Sequence, residues 1–323
     1  MGRVAAAAVA WALVVLLAPA GALGQQQQEE EAPVFKVDVR LVRMLATVKS
    51  PQGQLVGGLE KGDFKIFDNG VEQEIAIFER RTEQPLSIAM VVDTSRSTER
   101  ERRYELDSIR RFLATLLREG NERDEAALYS FNTDVTLHTD YTRDLRRLER
   151  GLRTLKSEGA TAMFDSVYLA AGEMKKRDGR HVVLIVSDGA DTASRVKFEE
   201  ALEALHDVDA VLYAVLVTPV RGGAGRNLRG ENALATFAQW TGGRMFMPAL
   251  GASIDEAFSE ILRDLRTQYL LGYYPRGVSP AKERFHRVTL VVDRAGHSVG
   301  ARNGYFSDDV VAAPAAGGPK RRP

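Results

Sequence analysis

The stretch Asp93-Thr94-Ser95-Arg96-Ser97 follows directly on the apolar run Leu86-Ser-Ile-Ala-Met-Val-Val92. The run predicts a buried strand, and the charged residues 98–117 that follow predict a helix. An acid and two hydroxyl groups at alternate positions can direct three oxygen atoms toward one point. Hard oxygen ligands on such a strand-to-helix turn are what a small divalent cation requires. The stretch therefore predicts an α/β fold with a cation site where its first strand ends.

Two later motifs extend this pattern: Gly159-Ala160-Thr161-Ala162, and Ser187-Asp188-Gly189 at the end of the apolar run 181–186. In open α/β sheets, ligands bind beyond the carboxyl ends of the strands. We therefore expect one metal site at this edge. Its predicted ligands are Asp93, Ser95, Ser97, Thr161 and Asp188. The alternative is that the first motif only supplies turn and helix N-cap residues, which are often Ser, Thr and Asp.

Residues 86–267 alternate between short apolar runs and amphipathic stretches. The predicted strands lie at 86–93, 126–131, 181–187, 211–217 and 244–248. The predicted helices lie at about 98–118, 144–155, 161–177, 197–206, 231–241 and 253–267. Such alternation is typical of a doubly wound, mainly parallel sheet flanked by helices, a Rossmann-like α/β fold.

The flanking segments have β character instead. Residues 34–82 contain an alternating strand at 35–41 and a hairpin signal, Asp68-Asn69-Gly70, between apolar segments 64–67 and 75–78. Residues 268–308 contain further strand patterns. Each segment is too short to fold alone, so we predict that they pair into one small β-sandwich with the α/β domain inserted between them.

The chain ends have their own signatures. Residues 1–24 combine Arg3, an apolar stretch and small residues, which predicts a signal peptide; a membrane anchor is the alternative, but the apolar stretch is short for a bilayer span. We expect an exported protein, periplasmic or secreted, without a membrane span in the mature chain. Residues 25–33 are rich in Gln and Glu, and residues 309–323 in Ala, Pro, Gly and Arg, so both predict disorder.

Composition excludes several functions. The 44 Lys and Arg residues equal the 44 Asp and Glu residues, which argues against nucleic-acid binding. The chain has no cysteine, so thiol catalysis, thiolate zinc sites and iron–sulfur clusters are excluded. Its five histidines are scattered, and no Gly-x-Ser-x-Gly motif is present. We therefore expect that the protein is not an enzyme.

At Asp93-x-Ser95-x-Ser97, Thr161 and Asp188 the chain resembles the metal-ion-dependent adhesion site of von Willebrand factor A domains, over residues 86–267. The tail motifs at 269–275 and 301–306 resemble those of an exported bacterial "VWFA-related" family common in acidobacteria. The resemblance implies that Ser95 and Ser97 bind the cation directly and Thr161 directly or through water. Asp93 and Asp188 would hold coordinated waters. Ala160 departs from the family, which often has glycine there.

The resemblance implies Mg²⁺, with Mn²⁺ or Ca²⁺ as alternatives, and an open position for an Asp or Glu side chain of a protein partner. The predicted function is a cation-dependent protein-binding module in adhesion or assembly. Two alternatives remain open: a structural envelope protein with a purely stabilising metal, and a metal-dependent hydrolase. Asp191 either supports the site loop through hydrogen bonds or is an ordinary helix N-terminal or turn acid. The oligomeric state is not predicted.

Overall fold

The computed structural model describes residues 41–80, 84–95, 102–157, 159–217, 227–248, 252–278 and 284–307. The predicted signal peptide, linker and C-terminal tail lie outside these ranges, as do Ser97 and most of the predicted strand at 35–41. None of the helices in these ranges combines the length and apolar character that a bilayer crossing needs.

The described elements follow the predicted order of β segment, α/β unit and β segment. The strands are β1 (Val42–Lys49), β2 (Phe64–Asp68), β3 (Val71–Gln73), β4 (Ile75–Arg80), β5 (Leu86–Asp93), β6 (Glu125–Phe131), β7 (Val135–Thr142), β8 (Arg180–Ser187), β9 (Val211–Leu216), β10 (Met245–Phe246), β11 (Tyr269–Tyr273), β12 (Phe285–Val292), β13 (Ser298–Ala301) and β14 (Gly304–Phe306). The helices are α1 (Arg102–Glu119), α2 (Leu145–Leu152), α3 (Met163–Met174), α4 (Phe198–Asp207), α5 (Leu228–Thr241) and α6 (Ala252–Thr267).

The central sheet has the strand order β10-β9-β8-β5-β6-β7. All neighbouring strands are parallel except β7, which runs antiparallel to β6. Every residue of β5 is buried, because helices cover both faces of the sheet. Ile88, Met90 and Val92 join a core with α1 and α6, whereas Ala89 and Val91 join a core with α3, α4 and α5. The predicted doubly wound α/β fold is thus confirmed.

The flanking segments form two antiparallel four-stranded sheets, with strand orders β13-β1-β11-β4 and β14-β12-β2-β3. Each sheet combines strands from before and after the α/β unit. Met44 and Leu271 of the first sheet share one core with Ile66 and Val288 of the second. The two segments therefore form one sandwich, as predicted, because neither can bury its apolar face without the other.

The predicted hairpin is wrong in its second strand. Asn69 and Gly70 both have positive φ, 47° and 85°, as a two-residue turn of type I′ requires. The turn joins β2 to the short β3, with Asp68 opposite Val71. The apolar segment 75–78 instead belongs to β4, which pairs with β11 in the other sheet. Local turn residues specify that a hairpin forms, but the sheet that receives the next apolar segment depends on non-local burial.

The central sheet also contains a strand that the sequence pattern did not predict. β7 forms the antiparallel edge beside β6, and most of its side chains are exposed or half-buried. An edge strand that buries few side chains has a weak apolar signal, which is why residues 135–142 show no clear strand pattern.

Two contacts join the α/β unit to the sandwich, and a third holds the end of α6 against β8 within the unit. Gln268, the single residue between α6 and β11, donates hydrogen bonds from Nε2 to Thr47 Oγ1 and to the Tyr213 hydroxyl. The Arg180 guanidinium donates to the carbonyl oxygen of Leu265 at 2.5 Å. Arg302, nearly buried, forms an ion pair with Asp209. The end of α6 is therefore connected directly to the sandwich.

Candidate functional site

Asp93 is the most buried carboxyl group at the carboxyl edge of the central sheet. It ends β5 and is only 1% exposed. Its Oδ1 accepts a hydrogen bond from the Ser95 amide at 2.9 Å, and its Oδ2 accepts one from the Ser187 hydroxyl at 2.6 Å. Because β5 and β8 are parallel neighbours, Ser187 at the end of β8 reaches Asp93 directly. These two donors hold the carboxylate in one orientation.

The electrostatic environment of Asp93 disfavours its ionised form. The pKa of Asp93 is raised from 3.8 to about 6, chiefly by burial and in smaller part by the nearby charge of Asp188. The hydrogen bonds from Ser187 and Ser95 act in the opposite direction and lower this pKa. Burial is the larger effect, so the ionised carboxylate remains costly. A cation at this edge would offset that cost by compensating two neighbouring carboxylates.

Asp188 lies on a tight loop after β8 and is half-buried. Its Oδ1 accepts a hydrogen bond from the Ala190 amide at 3.0 Å. The loop turns at Gly189, which has a φ of +84°. Gly230, in the first turn of α5, lies so close that a Cβ added there would be 1.4 Å from the Gly189 carbonyl oxygen. Two glycines therefore let α5 pack directly against the loop that presents Asp188.

Thr161 is held between the loops that follow β6 and β8. Its amide donates to Thr192 Oγ1 at 3.0 Å, and its carbonyl oxygen accepts hydrogen bonds from the Thr192 and Ala193 amides. The next residue, Ala162, donates its amide to the Asn132 carbonyl oxygen just beyond β6. Since β6 and β8 are the two neighbours of β5, these bonds place Thr161 at the edge where Asp93 lies.

Asp191 supports this arrangement through the start of α3. Its Oδ1 accepts hydrogen bonds from the Met163 amide at 2.8 Å, the Phe164 amide at 3.3 Å and the Ser194 hydroxyl at 2.6 Å. Asp191 therefore caps the start of α3 from a distant loop. It both supports the site loop through hydrogen bonds and acts as a helix N-terminal acid, the two roles considered from the sequence. By capping α3 it connects the Thr161 segment to the Asp188 loop.

The structure brings together four of the five predicted ligands, Asp93, Ser95, Thr161 and Asp188, around one sheet edge; Ser97 lies outside the described residues. In the described ranges, no three His, Asp or Glu side chains form a metal-binding group, so a site here depends on hydroxyl groups as well as carboxylates. Sequence reasoning missed Ser187, the hydroxyl that orients Asp93. Its position beside Asp188 at a strand end was the available signal.

Residues 88–190 match the family model for the von Willebrand factor type A domain. The matched range spans the edge residues from Asp93 to Asp188. A search of curated proteins found no significant match. The central sheet and its helices have a von Willebrand factor A-like α/β fold.

Solved structures also resemble the chain. The vWF domain of the type V pili tip protein Mfa5 from Porphyromonas gingivalis is 25% identical, with a TM-score of 0.32, and covers 34% of this chain. This chain spans only 39% of that structure's length. An aerotolerance-related membrane protein from Bacteroides fragilis is 16% identical (TM-score 0.44; 56% of this chain, 98% of that one). A von Willebrand factor type A protein from Catenulispora acidiphila is 10% identical (TM-score 0.47; 85% and 76%).

Proposed function

We propose that this protein, whose central unit has a von Willebrand factor A-like fold, is a divalent-cation-dependent protein-binding module. The cation is held by Asp93, Ser95, Ser97, Thr161 and Asp188, and it receives an Asp or Glu side chain of a partner. The observation that carries the proposal is the buried Asp93 carboxyl, whose pKa is raised by burial and by the adjacent Asp188.

The donor set suits Mg²⁺, with Mn²⁺ or Ca²⁺ as alternatives. Hydroxyl and carboxylate oxygens are hard ligands, and Mg²⁺ retains several waters when few protein ligands are present. Two carboxylates balance the charge of one divalent cation, and the hydroxyl groups add none. An incoming carboxylate would therefore bind as a ligand that replaces water at the open coordination position, and not through uncompensated charge. Bound metal would supply this Lewis-acid contact and lower the cost of ionising Asp93.

We propose binding rather than catalysis. The Ser187 hydroxyl contacts Asp93, and a Ser–Asp contact could suggest a nucleophile. However, Ser187 is 1% exposed, and its Oγ donates to Asp93 while accepting the Gly189 amide at 3.0 Å. This hydroxyl is therefore occupied in orienting the carboxylate. We further propose that residues 1–24 direct export, so that the module acts in adhesion or assembly in the periplasm or outside the cell.

A second candidate function is a structural envelope protein whose metal only stabilises the sheet edge. The electrostatic cost at Asp93 favours this candidate as much as it favours metal-dependent binding. The two differ in whether a partner requires the metal. In the structural case, chelation lowers the melting temperature but leaves no partner interaction to lose.

Calorimetric titration of Mg²⁺ and Mn²⁺ into residues 25–323 tests the site. Asp188→Asn removes a predicted metal-site charge. Asp178→Asn is the matched control, because Asp178 is exposed just before β8, at the opposite edge of the sheet. We expect binding to the wild type and the control, and none to Asp188→Asn. Equal binding to all three would refute the assignment of the site.

Capture of envelope proteins from the source organism on the immobilised chain tests the partner. We expect specific proteins that elute with chelator from the wild type and the Asp178→Asn control, but are not retained by Asp188→Asn. If the captured proteins stay bound in the presence of chelator, metal-dependent binding is excluded and the structural role remains.

A further inference from the structure

A groove runs between α1 and α2, on the helical face that carries the core of Ile88 and Met90. Its first section, of about 430 Å³, has Arg103 and Arg110 of α1 facing Glu149 and Arg153. Its second section has Arg118 facing Arg146. The pairing of early α1 residues with late α2 residues shows that the two helices run antiparallel. We call this surface the α1–α2 groove.

The groove concentrates positive charge in a chain whose formal net charge is zero. Six arginines and three carboxylates line its two sections. One arginine, Arg143, donates to the carbonyl oxygens of Leu117, Asn121 and Asp124, and one carboxylate, Asp144, caps α2. The other five arginines therefore face only two other carboxylates, Asp107 and Glu149.

These five arginines form no ion pair with any described residue, and all of them are exposed. They are Arg103, Arg110, Arg118, Arg146 and Arg153. By contrast, Arg111 on the adjacent face of α1 forms a bidentate pair with Asp255 of α6. The same helix thus pairs its arginine on the α6 side, whereas those on the groove side have no ion-pair partner among the described residues.

The floor of the groove is apolar. Leu106 is half-buried and Leu152 is nearly buried between the rows of arginines. A polyanion such as a polysaccharide or a nucleic acid has no apolar side chains for this floor. The carboxylates of Asp107 and Glu149 would also repel a uniformly negative chain. An amphipathic segment with acidic and apolar side chains matches both the rim and the floor.

We propose that the α1–α2 groove binds an acidic amphipathic segment of a protein partner. Carboxylates of the segment pair with Arg103, Arg110 and Arg153, and its apolar side chains cover Leu106 and Leu152. This surface is separate from the metal site. The groove needs no metal for its own contacts.

A synthetic helical peptide tests the proposal. The probe carries leucines along one face and glutamates on both flanks, and its binding to the full chain is followed by fluorescence anisotropy in the presence of EDTA. The charge-reversed variant combines Arg103→Glu and Arg153→Glu. The matched control combines Lys61→Glu and Arg287→Glu, two exposed residues of the sandwich. Melting curves confirm that both variants fold.

We expect saturable binding that weakens roughly tenfold in the groove variant, from two lost ion pairs at exposed sites, and is unchanged in the control. Leu106→Ser is expected to weaken binding as well. Three results would overturn the proposal: no saturable binding, equal loss in the control, or equally tight binding of heparin or a scrambled peptide of the same composition. Because EDTA is present throughout, failure of the metal site does not affect the outcome.

Discussion

Replacing Asp93 with asparagine is expected to stabilise the metal-free protein at pH 8 and to destabilise it at pH 4. The folded-state pKa of Asp93, about 6, lies above its ordinary value of 3.8. As pH rises through this window, the unfolded chain releases the proton first, so the free energy of unfolding decreases. Above pH 6 the full cost of burying the charge is present, and below pH 3.8 it is absent.

The size of the effect follows from the two pKa values. Since one pKa unit corresponds to 1.36 kcal/mol, the rise from 3.8 to about 6 corresponds to about 3 kcal/mol at pH 8. Asparagine avoids this cost but loses one of the two acceptor contacts, to Ser95 or Ser187, at about 1 kcal/mol. The net gain of about 2 kcal/mol raises the melting temperature by roughly 4–8 °C for a unit of this size. At pH 4 the burial cost has fallen to about 0.5 kcal/mol, so the lost contact of about 1 kcal/mol leaves Asp93→Asn less stable by about 0.5 kcal/mol.

Thermal melts of the wild type, Asp93→Asn and the control Asp178→Asn measure this effect at both pH values in EDTA. The same melts with excess Mg²⁺ measure how much metal stabilises each protein. We expect Mg²⁺ to stabilise the wild type and the control but not Asp93→Asn. The reasoning is refuted if Asp93→Asn melts at or below the wild type at pH 8 in EDTA, or if the difference keeps one sign at both pH values.

Three further predictions concern residues around this site and beyond it. Asp191→Ala removes the cap of α3 and should cost about 1–2 kcal/mol with or without Mg²⁺, measured by urea unfolding; a loss seen only with metal would contradict a capping role. Burial and the charge of Arg302 lower the pKa of His206 from 6.5 to about 3, so stability should fall as pH drops below 6.5. His206→Leu should reduce that acid sensitivity in pH-dependent melts, and an unchanged pH profile would exclude His206 as its source. If occupation of the metal site is transmitted to the sandwich through α6 and Gln268, hydrogen exchange of residues 254–266 should change on adding Mg²⁺ and a captured partner; identical exchange would count against such coupling.

The sequence predicted the parts of the fold that depend on local patterns. Residues 86–92 form one unbroken apolar run, and a strand buried on both faces produces that signal. The rule that parallel strands end at one edge then predicted that Asp93 and Asp188 lie together. β7 escaped prediction, and the hairpin after β2 was predicted with the wrong second strand. An edge strand buries little, and a turn signal does not specify which sheet receives the next segment.

Several features of the candidate site depend on contacts between distant residues. Ser187 orients Asp93 from a neighbouring strand, and Asp191 caps a helix that begins 28 residues earlier. The pKa of Asp93 depends on its burial, which only the folded sheet establishes. The close approach of Gly230 to Gly189 and the groove between α1 and α2 have no local signature at all.

The sequence by itself thus determined the strand–helix alternation, the inserted arrangement of the α/β unit and the residue types available at the sheet edge. These depend on periodicity and on the order of segments, which are local properties of the chain. Only the tertiary structure decided how deeply Asp93 is buried, which hydroxyl orients it, and which arginines face a groove and not a carboxylate. Those properties arise from packing between segments that are far apart in sequence, and no local pattern encodes them.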